Sequence, residues 1–207
     1  MDRLVDELIA EGVLHTPAII AAFRAIDRRD FVRPEIEDEA YSNIALPIGE
    51  GQTISQPLTV AIMLELLQPQ AGNNILDIGS GSGWQTSLLA HIVGISGRVT
   101  ALELVPSLCE WGRENVSHYN FIAKGIVEMR CMSGLGGYPP RAPFDKIIAA
   151  AAGEHVPDAW LTQTKIGGLI VAPIGSSVLQ LLKTSEDSPT GEWERHEYPG
   201  FVFVPLL

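Results

Sequence analysis

Eight consecutive residues, Leu76-Asp77-Ile78-Gly79-Ser80-Gly81-Ser82-Gly83, set three glycines at alternate positions between a short apolar run and a helical segment, Trp84 to Val93. A strand that ends in such a bend and feeds a helix must turn its backbone sharply. Glycine permits that turn and lets the main chain approach a ligand with no Cβ in the way. A dinucleotide fingerprint asks for glycine or alanine where Trp84 stands, and a phosphate-cradling P-loop ends in lysine followed by serine or threonine; neither is present. The bend therefore suits a methionine-bearing nucleoside without a pyrophosphate. Glu103 ends the next apolar run, where its carboxylate can accept hydrogen bonds from both hydroxyls of a ribose.

Around this unit the chain alternates between two periodicities. Ile75 to Ile78, Val99 to Leu104, Lys146 to Ala150 and Leu169 to Ala172 read as buried strands. Thr59 to Leu67, opened by Pro57, then Trp84 to Val93, Pro106 to Val116 and Asp158 to Thr164 read as helices. Such alternation points to an α/β fold with a mainly parallel sheet covered on both faces. Two helices precede it. Leu4, Val5, Leu8 and Ile9 fall at helical spacing before Gly12, and Thr16 is expected to cap a second helix with Pro17 at its first position. Glu35 to Glu39 reads as a solvated acidic face, and Leu46 to Gly49 as a loop. Near the end, Val178 to Lys183 and Phe201 to Val204 flank a polar loop and are expected to form a late antiparallel pair. The expected organisation is one domain: residues 1–58 as a helical cover and clamp, 59–175 as a cofactor-binding core and 176–207 as a strand pair.

A formal charge of -11 argues against a phosphate backbone as partner, so no nucleic acid is expected. No apolar run approaches the roughly twenty residues that cross a bilayer, and the acidic start, Met1-Asp2-Arg3-Leu4-Val5-Asp6-Glu7, does not read as a leader. A cytoplasmic protein without membrane contact is the expectation. Cys109 and Cys131 are the two cysteines, too few for a disulfide scaffold, and two reduced thiols are expected. Five histidines are scattered without ligand spacing, so no metal site is expected.

A second motif, Gly51-Gln52-Thr53-Ile54-Ser55-Gln56-Pro57, places two short hydroxyls in a tight polar segment. Such groups can donate to an anion without neutralising it. Ser55-Gln56-Pro57 is equally what a helix start looks like, with serine as cap. Both motifs together, with Asp30-Phe31-Val32, Ala40-Tyr41, Ala142-Pro143-Phe144-Asp145, Lys165-x-Gly167-Gly168, Val171-x-Pro173-x-Gly175 and Phe203-Val204-Pro205-Leu206 in order, resemble the protein-L-isoaspartate (D-aspartate) O-methyltransferase family.

The resemblance implies a Rossmann-like class I methyltransferase fold with added N-terminal helices. It also implies S-adenosyl-L-methionine as cofactor, S-adenosyl-L-homocysteine as its product, and a chain that acts as a monomer. The acceptors would be damaged proteins and peptides, methylated on the isoaspartyl carboxylate to give an ester that collapses to a succinimide. Ser55 matches the active-site serine of the family, with Thr53 and Ile54 beside it facing substrate. The implied cofactor residues are Gln52, Thr53, Asp77, Gly79, Ser80, Gly81, Ser82, Gly83, Glu103, Ser133 and Gly134. Asp77 would shape the loop or meet the ammonium of the cofactor. Two positions depart from the family pattern. Asn43 stands where aspartate is usual, and Met132-Ser133-Gly134 replaces Gly-Asp-Gly, whose aspartate holds the adenine edge. A methyltransferase for another carboxylate acceptor, or a cofactor-binding module without turnover, are the alternatives that these departures raise.

Overall fold

The computed structural model describes residues 1–188 and 190–206. In chain order the elements are α1 (Asp2–Ala10), α2 (Pro17–Ala25), β1 (Leu46–Gly49), β2 (Gln52–Ile54), α3 (Pro57–Leu67), β3 (Asn74–Ile78), α4 (Trp84–Val93) and β4 (Arg98–Glu103). They continue with α5 (Pro106–Ser117), β5 (Val127–Cys131), β6 (Phe144–Ala149), α6 (Asp158–Thr162), β7 (Thr164–Ile174), β8 (Ser177–Ser185) and β9 (Glu192–Pro199). The large sheet has the order β5-β4-β3-β6-β7-β8-β9. Strands β5, β4, β3, β6 and β7 run parallel, while β8 and β9 close the sheet antiparallel.

This order fixes where a ligand can sit. Strand β3 is central, and the chain winds outward from it to β4 and β5 on one side, then returns to β6 and β7 on the other. The connections leaving the carboxyl ends of β3 and β6 diverge, opening a crevice at the point where winding reverses. The glycine bend follows β3 and therefore lines it.

The two faces of the sheet are covered unequally. Along β3, Ile75 joins the larger apolar cluster, built with α1 to α5, while Leu76 and Ile78 join a smaller one around Trp160 of α6 and Phe144. That alternation is the period of two of a strand buried on both sides. Helix α1 is part of the fold, with Leu4, Val5 and Leu8 buried. No helix among the described residues is long and apolar enough to cross a membrane.

Several expectations are corrected. Leu46 to Gly49 is a strand: β1 pairs antiparallel with β2, and the connecting Glu50 and Gly51 both have positive φ, 55° and 70°. That is the twist a two-residue hairpin needs. Thr16 sits at the start of α2 but makes no side-chain cap; its hydroxyl donates to Glu65 Oε2 at 2.6 Å. An additional strand, β5, forms the edge beyond β4, its charged Glu128 and Arg130 masking it from apolar-run analysis.

In the tail, the partner of β8 is the charged segment Glu192–Pro199, and Phe201 to Val204 is not a strand. An edge strand needs one ladder only, so β9 keeps its charges in water. Phe201 and Phe203, beyond the turn at Gly200, pack on the main cluster instead. Finally, Cys109 and Cys131 are not free thiols. Helix α5 packs across β4 and β5 and brings their Cα atoms to 5.6 Å, and the sulfurs form a disulfide. Counting cysteines shows no proximity between residues 22 positions apart.

The glycine bend is seated against α5. A Cβ at Gly112 would stand 2.5 Å from the carbonyl oxygen of Gly81, and one at Gly83 would meet the Gly112 oxygen at 2.9 Å. We expect Gly112→Ala to destabilise the fold by about 1–3 kcal/mol through overpacking. In thermal melts that is a fall of roughly 2–12 °C in Tm; an unchanged Tm would mean that α5 can move away from the bend at no cost.

Candidate functional site

Hydroxyl turn and glycine bend face each other. The bend lines an open cavity of about 640 Å³ together with Gln52 and Thr53 of β2, Ile78, Glu103, Leu108, Met132, Gly134, Ala150 and the tail residues Val204 to Leu206. A smaller adjoining space of about 330 Å³ has Thr53, Ile54 and Ser55 on one side and Gly79 to Ser82 on the other. A third, of about 750 Å³, opens outward between Thr53, Ser55, Gln56, Thr59 and the Val202 to Val204 segment. Thr53 borders all three, and Ser55 the last two.

Each side of the cavity is braced from beneath. Glu103, 7% exposed, accepts from the Gly81 N–H through Oε2 at 2.8 Å and from the Val105 N–H through Oε1 at 2.9 Å. Its carboxylate joins the glycine bend to the start of α5, and each oxygen keeps a further lone pair for a ligand hydroxyl. Asn115 donates to the Ser82 carbonyl at 2.9 Å. On the opposite wall, the Trp160 indole donates to the Gly134 carbonyl at 2.8 Å.

The hydroxyl turn is held by a residue outside the sequence-derived set. Arg28 is fully buried, and its guanidinium donates to the carbonyls of Ala40 (2.7 Å), Ile44 (3.0 Å) and Ser55 (3.1 Å). Burial lowers its pKa to about 10, which leaves it charged at neutral pH. One buried cation thus ties the loop before β1 to the turn after β2. Its sequence signal was weak, an arginine flanked by other charges in Asp27-Arg28-Arg29-Asp30.

Ser55 does not cap α3. The residue before the helix is Gln56, without a side-chain cap, and the Leu58 N–H in the first turn is taken by Asn43 Oδ1 at 2.9 Å. The Ser55 hydroxyl has no hydrogen-bond partner among the described residues and borders the space facing the glycine bend. Asn43 acts as an acceptor through its amide oxygen, a task that does not need the charge of an aspartate.

The other implied residues divide between those that border a cavity and those that do not. Gln52, Gly79 and Gly81 border the 640 Å³ cavity, with Ser80 and Ser82 around the smaller one. The Ser80 hydroxyl is buried without a partner. Gly83 is the positive-φ residue from which α4 starts, turned towards α5. Asp77 lies beneath the bend and borders none of the three cavities. It accepts from Thr86 Oγ1 at 2.6 Å and Gln85 Nε2 at 2.8 Å, fastening the start of α4 to β3. Gly134 borders the cavity, whereas the Ser133 hydroxyl accepts from the Leu135 N–H at 3.4 Å and is not part of its lining. Among the described residues one group could offer metal ligands, Cys109, Glu110 and Cys131, and its sulfurs are joined to each other.

The lining also tests the cofactor. Among the described residues, Glu103 is the one charged residue around the 640 Å³ cavity, and no lysine or arginine borders it. A carboxylate ready for hydroxyls, an orphaned serine hydroxyl and apolar walls fit a nucleoside without phosphate groups.

A parallel sheet opening at its switch point onto a glycine bend, with a strand-end acid beyond it, is the site of a Rossmann-like methyltransferase. Within that class, the family model for protein-L-isoaspartate(D-aspartate) O-methyltransferase matches residues 1–207. The chain belongs to this family. It is 38% identical over 206 residues to a protein-L-isoaspartate O-methyltransferase of Methanopyrus kandleri, covering 100% of this chain and 90% of the relative. It is 40% identical over 205 residues to one of Aeropyrum pernix, covering 99% and 78%. Among solved structures, a Plasmodium falciparum chain assigned to the same activity, in complex with S-adenosyl-L-homocysteine, superposes with a TM-score of 0.86 at 19% identity, over 99% of this chain and 97% of that one.

Two measurements probe the site. Glu103→Ala removes a charged acceptor worth about 1.5–3 kcal/mol and should weaken binding of S-adenosyl-L-homocysteine by about one to two decades in calorimetry; unaltered affinity would remove Glu103 from the cofactor site. Asp77 reports on pH. Burial, followed by the nearby Glu103 charge, raises its pKa from 3.8 to about 6, against the Thr86 and Gln85 bonds that favour ionisation. The folded state therefore binds this proton more tightly than the unfolded chain. Stability from the protonated form is complete below 3.8 and is lost as pH rises through 6, which costs about 3 kcal/mol at pH 7. Asp77→Asn cannot titrate. In urea melts the stability of wild type relative to the variant should rise by about 2 kcal/mol between pH 7 and pH 4.5, whereas a constant difference would show that water reaches the carboxylate.

Proposed function

We propose that this chain transfers the methyl group of S-adenosyl-L-methionine to the carboxylate of L-isoaspartyl residues in damaged proteins and peptides, with Ser55 orienting the acceptor. The observation that carries the residue assignment is the unpartnered Ser55 hydroxyl, set between the outward-opening space and the glycine bend.

The cofactor, held by Gln52, Thr53, the glycine bend, Glu103 and Gly134, supplies an electrophilic methyl group. An acceptor carboxylate of pKa about 4 is already ionised at neutral pH, so the protein has no proton to remove. The task left to its residues is to hold one carboxylate oxygen in line and exclude water. Ser55 donates to the carboxylate, and Thr53, exposed on β2 at the border of all three spaces, supplies a second hydroxyl. Arg28 fixes the position of that turn through the Ser55 carbonyl. No charged side chain borders the outward-opening space, so neither anionic nor cationic neighbours of the damaged residue are repelled there. The methyl ester then collapses to a succinimide without further help from the protein.

This reading makes the chain a monomer; its support is that one chain supplies both sides of the site.

Radiolabelled methyl transfer to an isoaspartyl peptide and to its aspartyl counterpart tests the activity. We expect base-labile methyl ester on the first and none on the second. Ser55→Ala should lose about 1.5–3 kcal/mol of transition-state stabilisation, a fall of roughly ten- to hundredfold in kcat/KM, with its Tm unchanged. Methylation of other carboxylates alone would redirect the acceptor assignment, and a variant with full turnover but lower Tm would make Ser55 a structural residue.

A further inference from the structure

The disulfide spans two walls of the 640 Å³ cavity that Glu103 borders. Leu108 and Met132 both border that cavity, and each is the immediate chain neighbour of a bridged cysteine, Cys109 on α5 and Cys131 at the end of β5. Cys131 is also the ladder partner of Glu103, and the Met132 N–H donates to the Glu103 carbonyl at 2.8 Å. Beyond Met132 the chain leaves the sheet, and at Leu104 the other wall does the same. Leu104 and Met132 are 42% and 40% exposed, so little protein packs behind either. The crosslink between Cys109 and Cys131 is covalent; besides it, Arg113 reaches from α5 to the Met129 carbonyl at 3.3 Å.

From this placement we infer that the Cys109–Cys131 disulfide is a positioning element of the cofactor site: it sets the separation of the Leu108 and Met132 walls, and its reduction weakens cofactor binding. The inference rests on the 640 Å³ cavity being the cofactor site. Past Met132 that wall offers no carboxylate to the ligand, since Ser133 stands at the family's aspartate position and turns its hydroxyl to its own loop. Affinity on that side depends on apolar fit, and fit depends on spacing.

The two sulfurs differ in access. Cys131 is exposed and Cys109 is buried. A thiolate of a dithiol reductant therefore attacks Cys131 Sγ, the protein S–S bond breaks, and Cys109 leaves as thiolate and takes a proton from water. Arg113 Nη2, 3.7 Å from Cys109 Sγ, favours that anion. The second thiol of the reductant then resolves the mixed disulfide, releasing Cys131 and carrying away the oxidised equivalents as a cyclic disulfide. Two electrons pass from the dithiol to the protein.

Coupling of this kind is reciprocal: whatever factor reduction costs the cofactor, bound cofactor must return by resisting reduction. The experiment is titration calorimetry of S-adenosyl-L-homocysteine against oxidised protein, protein reduced with dithiothreitol, reduced protein reoxidised, and the Cys109→Ala/Cys131→Ala variant. Reduction should raise the Kd roughly five- to tenfold, and reoxidation should restore it. The double variant should bind like reduced protein and ignore dithiothreitol.

In parallel, the dithiol concentration that half-reduces the protein, read by thiol alkylation and mass spectrometry, should rise with added S-adenosyl-L-homocysteine. At saturating cofactor the KM for an isoaspartyl peptide should not follow the redox state. Equal Kd in the oxidised and reduced forms, or a reduction midpoint indifferent to the ligand, would overturn the inference while leaving the cofactor site intact. Failure of every form to bind would overturn the cofactor site and the inference with it.

Discussion

The carboxylate of Glu103 is where the architecture of the site is tied together. Both of its oxygens accept main-chain N–H groups, one from Gly81 in the glycine bend and one from Val105 at the start of α5. An amide side chain in that place could accept through its oxygen only and would present N–H donors on the other side; a carboxylate accepts on both sides. With Gly112 too close to Gly81 to admit a Cβ, and Asn115 on the Ser82 carbonyl, the bend is fixed from below and from α5. Its remaining face is the one it offers to a ligand. Rigid placement matters for a transfer in which positioning, and not proton removal, is what a protein can contribute.

Much of this was legible because strong local signals and global topology agree. Helix α4 begins at Trp84 and ends at Val93, as the sequence between Gly83 and Gly94 requires, and β3 and β4 follow their apolar runs. The misses have physical causes. Edge strands β5 and β9 carry charges because they need only one hydrogen-bonded neighbour, so hydrophobic pattern passes them over. The β1–β2 hairpin turns through Glu50 and Gly51, where a glutamate at positive φ carries no sequence signal. Long-range partnerships were equally silent. Arg28 meets carbonyls 12 to 27 residues away, and the disulfide joins elements that only the packing of α5 brings together.

In the site the same division holds. The glycines and Glu103 could be placed by their position between a strand and a helix. Asp77 was read as shaping the loop or meeting the ammonium of the cofactor; one residue before the end of β3, it is turned by the twofold alternation of the strand towards Gln85 and Thr86 of α4, beneath the bend. Ser55 was ambiguous between helix cap and substrate contact, and what removes the cap is Asn43, a residue twelve positions earlier whose amide oxygen takes the Leu58 N–H. The tail residues Val204 to Leu206 bridge to Ala152 after β6 and, with Ala150, complete a wall of the cavity that the first motif begins.

The edges of the sheet bear on how such a protein handles its clients. Damaged polypeptides are partly extended, and an extended chain adds readily to any sheet border with free main-chain groups. Here one border carries Glu128 and Arg130, and the other alternates through Glu192, Glu194, Arg195, His196 and Glu197. A repair enzyme built this way discourages its own clients from zipping onto its flanks, which on the proposed reading leaves the space beside Ser55, with no charged side chain in its described lining, to receive them.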